Sequence, residues 1–276
     1  MKIAILSDIH GNIPALLQVL EDLDRQHPDL VVLNGDIINR GPDSLEVVER
    51  LAQRLPEAHY IKGNHEAWIL RCRQDLRPRS GIRFETKRFA YWTLDQLGDT
   101  VARIEPWHDE LDLCTHSGGE IHFTHGSRLG NRDGLHPKTE ERDLAAKLGD
   151  RRDLFIASHT HIPMIRHYQD TLIVNSGSVG APFDRDPRAS YALVSRLHNR
   201  WEAEIRRIPY PREATEARYQ ESGFLHGGGP LTRLMLRELQ LSRGLLGLWM
   251  RSYQPAVLAQ QITLEKSVEK MLEEVG

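Results

Sequence analysis

The chain has few cysteines, no long apolar run and little net charge, and each of these absences excludes a class of protein. Cys72 and Cys114 are the only cysteines among the 276 residues, and they form no cluster of the metal-ligand type. A disulfide framework is typical of small secreted proteins, and we expect two free thiols here instead. No apolar run reaches the ~20 residues that a membrane-spanning helix needs, so we expect no membrane partner.

The small net charge and the start of the chain limit the possible class of protein and its location further. The formal net charge is −3 at pH 7, which gives no reason to expect nucleic-acid binding through bulk electrostatics. Met1 and Lys2 run directly into an apolar segment, so we expect no signal peptide and a cytoplasmic location. The length and the ordinary composition fit either one large domain or a domain with a small appendage.

Short apolar runs that end in polar side chains are the most informative feature of the chain. The first run, Ile3 to Leu6, is followed by Asp8, His10 and Asn12. Later runs end in the same manner, and the polar residues after them are Asp36, Asn64, His65, His125, His159 and His161. Helical spacing separates the first three runs, which predicts a layered α/β fold. Because ligands bind at strand ends in such folds, we expect a site along one sheet edge.

Strand patterns dominate the second half of the domain. They fall near residues 110–115, 120–124, 154–157, 163–168, 171–174, 189–195 and 201–208. Ser117 and Gly118 supply a hairpin signal between the first two of these strands. The first half of the domain alternates strands and helices, whereas the second half is mostly antiparallel strands. This order predicts two mixed sheets packed face to face, with helices outside.

A helical insertion is predicted between the third and fourth strands. Residues 67–107 read as a helical cap, with helices near 66–74 and 84–98. Its basic residues are Arg71, Arg73, Arg77, Arg79, Arg83, Lys87 and Arg88. They indicate either a solvated basic face over an aromatic core or a cap that attracts phosphate-bearing substrates.

Residues 209–276 are predicted as a helical C-terminal extension. Pro209 and Pro211 break the last strand, and helical patterns follow at 231–251 and 255–275. The last pattern carries an apolar stripe with heptad-like spacing. This stripe packs either on its own domain or on a partner subunit, and the second alternative is a homodimer through the C-terminal helices.

The polar residues at the strand ends indicate a metal centre with two ions. Singly, each has an ordinary explanation, such as a helix cap. Together they supply more donors than one ion accepts, and the set is Asp8, His10, Asp36, Asn64, His125, His159 and His161. Imidazole and carboxylate donors without thiolate suit two divalent transition-metal ions, with manganese as our first candidate and iron, nickel, cobalt or zinc as alternatives.

Two neighbouring ions explain what chemistry such a site could perform. A carboxylate can bridge them, and the pair then binds the oxygens of a phosphate and lowers the pKa of a bridging water. One protonated group must reach the leaving oxygen of the substrate. His65, next to Asn64 in the chain, is expected to be that general acid.

The blocks that carry these residues resemble those of the calcineurin-like metallophosphoesterases over residues 1–208. They are Asp8-Ile-His10, Gly35-Asp36, Gly63-Asn-His-Glu66, Thr124-His125-Gly126 and Ser158-His-Thr-His161, in that order. The resemblance implies an α/β fold with mixed sheets, arranged as a four-layer αββα sandwich around a dinuclear site.

The same resemblance implies a role for each residue. It places Asp8, His10 and His161 at one ion. It places Asn64, His125 and His159 at the other, with Asp36 as the bridge. It also implies that His65 is the acid and that Arg40 and Asn12 contact the phosphate.

Two branches of the family are represented in the motifs. The segment Gly35-Asp-Ile-Ile-Asn-Arg-Gly-Pro-Asp-Ser44 resembles the protein-phosphatase and dinucleoside-tetraphosphatase branch, in which the arginine clamps phosphate. The segment Asn175-Ser-Gly-Ser-Val-Gly-Ala-Pro182, followed by Asp186-Pro-Arg-Ala-Ser190, resembles the small bacterial phosphodiesterase branch, and this second likeness extends further along the chain. Asn39 stands where protein phosphatases carry an aspartate that pairs with the catalytic histidine, which argues against efficient protein-phosphatase chemistry.

We therefore predict a phosphodiesterase that acts on small phosphate esters. The alternatives are a phosphomonoesterase or protein phosphatase, or a dinucleoside polyphosphate hydrolase. An alternative of another class is a non-catalytic, metal-dependent scaffold.

Overall fold

The computed structural model of the protein describes residues 1–74, 78, 80–115, 119–198 and 200–276. Its strands are β1 (Lys2–Leu6), β2 (Leu30–Asn34), β3 (His59–Ile61), β4 (Glu110–Cys114), β5 (Glu120–Thr124), β6 (Leu154–Ala157), β7 (Met164–Tyr168), β8 (Thr171–Asn175), β9 (Ala189–Leu197) and β10 (Arg200–Ile208). Ser117 and Gly118 of the predicted hairpin turn, and Arg77 and Arg79 of the cap, lie outside the described residues.

Helices account for most of the remaining chain. They are α1 (Ile13–Gln26), α2 (Ser44–Arg54), α3 (Asn64–Gln74), α4 (Ile82–Glu85), α5 (Arg88–Leu97), α6 (Glu141–Leu148), α7 (Arg212–Glu221), α8 (Phe224–Gly227), α9 (Leu231–Leu241), α10 (Leu246–Ser252), α11 (Gln254–Leu258) and α12 (Leu264–Val275). A 3₁₀ helix, Gly98–Arg103, follows α5. No helix in the described ranges is long and apolar enough to cross a bilayer.

The strands form two five-stranded mixed sheets, which confirms the predicted architecture. The first sheet has the order β10-β9-β1-β2-β3. In it β1, β2 and β3 are parallel to one another, β9 is antiparallel to β1, and β10 is antiparallel to β9. The second has the order β4-β5-β6-β8-β7, with β5, β6 and β8 parallel and the two edge strands antiparallel.

The alternation of side chains along β1 shows how the layers are joined. Ile3 and Ile5 point to one face and pack with residues of the second sheet such as Phe123. Ala4 and Leu6 point to the other face, where they pack with the helices of the first half of the domain. Because successive side chains in a strand alternate between faces, a fully apolar strand is expected where both faces are covered.

The outer face of the second sheet is covered in the same way. Phe155 and Ile173 pack there with Leu144 and Leu148 of α6. The layers therefore run helix, sheet, sheet, helix, which is the predicted αββα sandwich.

The C-terminal extension packs against the cap insertion. Phe89 of α5, Phe224 of α8 and Trp249 of α10 belong to one buried apolar cluster, and Trp68 and Trp92 pack against it. The rings of Trp68 and Phe89 meet edge to face with their centroids 5.2 Å apart, a favoured arrangement of aromatic pairs. Cap and extension thus share one apolar core.

The helices of the extension are shorter than the sequence pattern predicted. Ser242, with φ of 47°, ends α9 in the left-handed conformation and divides the predicted 231–251 helix. The 255–275 pattern is divided too, and Thr263 begins α12 by accepting a hydrogen bond from the Lys266 backbone N–H at 3.2 Å. Apolar periodicity continues across both breaks, so it does not reveal them.

The apolar stripe of α12 lies inside the chain. Leu264, Val268 and Met271 are buried in the same cluster as the other C-terminal helices. The stripe therefore packs on its own chain, which was the first of the two alternatives. A homodimer through the C-terminal helices stays a prediction and would have to use other residues of these helices.

Candidate metal centre

The predicted metal ligands meet at one edge of the sandwich, where five strands end. Asp8 and His10 follow β1, and the others follow β2, β3, β5 and β6, namely Asp36, Asn64, His125, His159 and His161. Five of the seven have φ values between 50° and 68°, and they are Asp8, His10, Asp36, His159 and His161. Left-handed backbone is unfavourable for residues other than glycine and clusters at functional sites.

Asp8, His10 and His161 form the first group of donors. Nε2 of His161 lies 3.2 Å from Oδ1 of Asp8 and 3.2 Å from Nε2 of His10. Nδ1 of His161 donates to the Ala181 carbonyl at 2.5 Å, so the Nε2 lone pair of the neutral ring faces the group. The three ligand atoms lie within 4.8 Å of one another, close enough to share a cation.

Asp36, His125 and His159 form the second group, and the ligand atoms of His10, Asp36 and His65 also lie within 4.8 Å of one another. Nε2 of His125 lies 3.3 Å from Oδ2 of Asp36, and Nδ1 of His125 donates to the Asn34 carbonyl at 2.8 Å. Oδ2 of Asp36 is also 3.7 Å from Nε2 of His10 in the first group. Asp36 therefore lies between the two groups, and its role as the bridge stays a prediction.

Buried atoms without hydrogen-bond partners show that the residues fit a metal. These atoms include Oδ1 of Asp8, Oδ1 of Asn64 and Nε2 of His125. Buried polar atoms are nearly always satisfied, so three unsatisfied donor atoms at one place call for an explanation. Divalent cations would complete the coordination of all three, and the donor set suits a transition metal.

The electrostatics of the centre also favour cations. Burial opposes the charged form of His125, but the neighbouring Asp36 carboxylate outweighs it and raises the pKa of His125 to about 10. Burial, assisted by the charge of His125, lowers the pKa of His159 to about 4. Two buried carboxylates, Asp8 and Asp36, thus depend on nearby positive charge, which bound cations would supply in place of a proton.

Glu66 organises the loop that carries Asp36. Its buried carboxylate accepts hydrogen bonds from the backbone N–H groups of Asp36, Ile37 and Gly63 at 2.8 Å. This side chain joins the ends of β2 and β3, so the two loops form one rigid unit. The adjacent Gly63 leaves room for the ligand, since a Cβ there would lie 2.1 Å from Oδ1 of Asp36.

Replacement of Gly63 by alanine is expected to displace Asp36 and to destabilise the protein by about 1–3 kcal/mol, the range for an overpacked interior. Thermal or urea unfolding of the metal-free protein measures this effect. Gly247→Ala is the matched control, because only Nη1 of Arg251, at 3.6 Å, would meet its Cβ. In helix α10 the control should be neutral or stabilising, and equal effects of the two changes would contradict the steric argument.

His65 faces the centre from the first turn of α3. Its Nε2 lies 4.0 Å from Oδ2 of Asp36, and its Nδ1 lies 2.8 Å from Nδ2 of Asn39. Thr93 donates to Oδ1 of Asn39 at 3.2 Å, which directs the amide N–H groups toward the imidazole. With Nδ1 accepting, the proton of the neutral ring is on Nε2, facing the ligands. Burial lowers the pKa of His65 to about 3, although Asp36 opposes this effect.

The structure gives partners to both residues expected to contact phosphate. Nη2 of Arg40 donates to Glu238 of α9. Oδ1 of Asn12 caps α1 by accepting from the Ala15 N–H at 3.1 Å, and its Nδ2 donates to the Gly180 carbonyl at 2.8 Å. Their contact with substrate stays a prediction, and Asn12 clearly has a structural role as well.

Sequence reasoning missed three residues at the centre. Glu66 is part of a motif block but has no predicted role, because the sequence does not show that its carboxylate accepts from backbone N–H groups of the Asp36 loop. Phe183 stacks on the His161 ring with centroids 4.1 Å apart, and Glu238 reaches Arg40 from α9. The last two lie in segments whose local pattern does not show which part of the fold they contact.

A sandwich of two mixed sheets with carboxylate, imidazole and amide donors at its strand ends defines a class of protein suited to binding divalent cations. The family model for the calcineurin-like phosphoesterase superfamily domain matches residues 1–198. The chain therefore belongs to this superfamily, as the resemblance of its motifs predicted.

Individual relatives agree with this assignment. An uncharacterized protein of Methanocaldococcus jannaschii, MJ0912, is 25% identical over 232 residues, which are 75% of this chain and 87% of that protein. The phosphodiesterase YfcE of Escherichia coli K12 is 24% identical over 202 residues, 70% of this chain and 87% of YfcE. The structure of a metallophosphoesterase from Sphaerobacter thermophilus is similar with a TM-score of 0.68 and 25% identity, covering 88% of this chain and 100% of that one.

Proposed function

We propose that the protein is a phosphodiesterase that uses two divalent transition-metal ions to hydrolyse small phosphate esters. The observation that supports this most strongly is the convergence of seven donor side chains and His65, with three buried donor atoms lacking partners. Membership of a phosphoesterase superfamily and the similarity to a phosphodiesterase support the reaction class. When bound, the ions would hold phosphate oxygens and lower the pKa of a water.

Hydrolysis forms one bond from water oxygen to phosphorus and breaks the bond from phosphorus to the ester oxygen. The departing oxygen gains a proton, and His65 would donate it from Nε2, which faces the ligands, as the imidazolium. Because burial keeps the free ring neutral, the ring would take up a proton from solvent when the negatively charged ester binds, and it would return to the neutral form as the ester oxygen leaves. Asn39 holds the ring in this orientation through Nδ1. The Arg40 guanidinium would orient a phosphate oxygen beside the ions.

A panel of substrates and metals tests the proposal. Metal-stripped protein should be inactive, and separate addition of manganese, nickel, cobalt, iron or zinc should restore hydrolysis. A bis-aryl phosphodiester should be hydrolysed with a kcat/KM at least about tenfold above that of the aryl monoester, a difference of about 1.4 kcal/mol. Preference for the monoester or for a dinucleoside polyphosphate would favour those alternatives. Failure of every metal-loaded form to act on any ester would favour the non-catalytic scaffold.

A further inference from the structure

Helix α9 of the C-terminal extension places a buried carboxylate at the edge of the metal centre. Glu238 is 2% exposed, and its Oε2 accepts a hydrogen bond from Nη2 of Arg40. A cavity of about 10 Å³ lies beside this pair, between His10 and Asn12 on one side and Tyr219 and Met235 of the extension on the other. The extension therefore forms a wall of the same site as the metal ligand His10.

Glu238 is held in place by two other hydrogen bonds. Its Oε1 accepts from the backbone N–H groups of Leu245 and Leu246, at 2.6 and 2.7 Å, where α10 begins. The carboxylate cannot follow Arg40 toward a substrate without losing both. Tyr219 of α7 also donates to the Arg40 carbonyl at 2.9 Å, so the extension fixes the backbone and the guanidinium of this residue.

This pairing changes what Arg40 can recognise. A free guanidinium presents two parallel N–H groups and a full positive charge to a phosphate. In this site one guanidinium nitrogen is already bonded to a carboxylate, and the charge of the pair is close to zero. A second negative charge on the substrate would also meet the Glu238 carboxylate nearby, and like charges at close range are strongly unfavourable.

We propose that Glu238 is a positioning residue that acts through Arg40 to select phosphodiesters over phosphomonoesters. A diester carries one negative charge at neutral pH, whereas the phosphate group of a monoester carries close to two. The neutralised pair of Arg40 and Glu238 therefore suits the singly charged diester and weakens binding of the doubly charged monoester. The inference rests on the proposed hydrolase function and assigns a role to the extension, which lies beyond the family match at residues 1–198.

Glu238→Gln tests the inference because the two side chains have the same shape. The amide oxygen can still accept from Leu245 and Leu246, while the amide nitrogen, itself a donor, can no longer accept from Arg40. The variant should release the guanidinium and keep α9 in place. We expect the ratio of kcat/KM for an aryl monoester to that for a bis-aryl diester to rise at least about tenfold. Competitive inhibition by inorganic phosphate should strengthen by a similar factor.

Two controls separate this effect from a general loosening of the helix. Glu265→Gln removes the carboxylate that pairs with Arg233 of α9. This second ion pair is exposed, whereas the pair of Glu238 and Arg40 is buried. Glu265→Gln should leave the ratio and the phosphate inhibition unchanged. In an Arg40→Gln background, Glu238→Gln should change the ratio less than about twofold, because a residue that acts through Arg40 has no further effect without it.

The outcomes also distinguish this inference from the proposed function. Equal losses on both substrates in Glu238→Gln, with an unchanged ratio, would overturn the role of Glu238 and leave the phosphodiesterase proposal intact. An increased ratio that persists fully in the Arg40→Gln background would overturn the route through Arg40. An inactive wild-type protein with every metal would reject the proposed function itself, and with it the inference.

Discussion

Asp36→Asn is expected to reduce turnover at least about a thousandfold and to remove at least one bound ion. Asp36 is the carboxylate between the two donor groups, with Oδ2 3.3 Å from Nε2 of His125 and 3.7 Å from Nε2 of His10. An asparagine keeps the shape but removes the charge that would offset two cations. A loss of about 4 kcal/mol of stabilisation corresponds to a thousandfold decrease in rate. Elemental analysis and kcat on a phosphodiester measure the two effects.

The same variant should lose most of the stabilisation that metal gives to the wild-type protein. A ligand at 100 times its Kd stabilises the folded state by about 2.7 kcal/mol, so manganese should raise the melting temperature of the wild type. Asp22→Asn is the matched control, because Asp22 is also buried but pairs with Arg206 and Tyr191 away from the centre. It should lower stability while keeping the response to metal. A full complement of two ions in Asp36→Asn would contradict the bridging role.

The strand ends are the part of the site that the sequence predicted best. Asp8, Asp36 and His125 come just after apolar strands, so these polar side chains are expected at the strand ends and not in the core. Because the strands that precede them run parallel to their neighbours in each sheet, their ends meet at one edge. The αββα layers followed from the same reasoning, because strands with both faces apolar need cover on both sides. These inferences depend on local periodicity and chain order, which a sequence displays directly.

Contacts made by the extension could not be predicted in this way. Glu238 lies 198 residues from Arg40 in the chain, and its helical spacing marks it only as one polar position on α9. The breaks at Ser242 and Thr263 escaped detection because the apolar pattern continues through them. The partner of a side chain depends on how helices dock, and that depends on packing shape, which periodicity does not encode.

His65→Ala should decrease hydrolysis of an alkyl phosphodiester by about a hundredfold to ten-thousandfold, the usual contribution of general acid catalysis. A poor leaving oxygen needs a proton as its bond to phosphorus breaks, and Nε2 of His65 is the group placed to give it, 4.0 Å from Oδ2 of Asp36. An activated aryl diester leaves as a stable anion, so its rate should fall less than about tenfold. Both ions should remain bound, since His65 lies outside the seven predicted ligands.

The dependence of rate on the leaving group separates the acid role of His65 from a structural one. In His65→Ala the rate should fall more steeply as the leaving group becomes more basic, whereas a displaced metal ligand would slow all esters alike. His122→Ala is the matched control, because His122 is a buried histidine that pairs with Asp112 at 2.9 Å on the second sheet. His122→Ala should leave the ratio of the hydrolysis rates of alkyl and aryl diesters unchanged. Equal losses on alkyl and aryl diesters in His65→Ala would reject the acid assignment, because proton donation matters only where the leaving oxygen needs it.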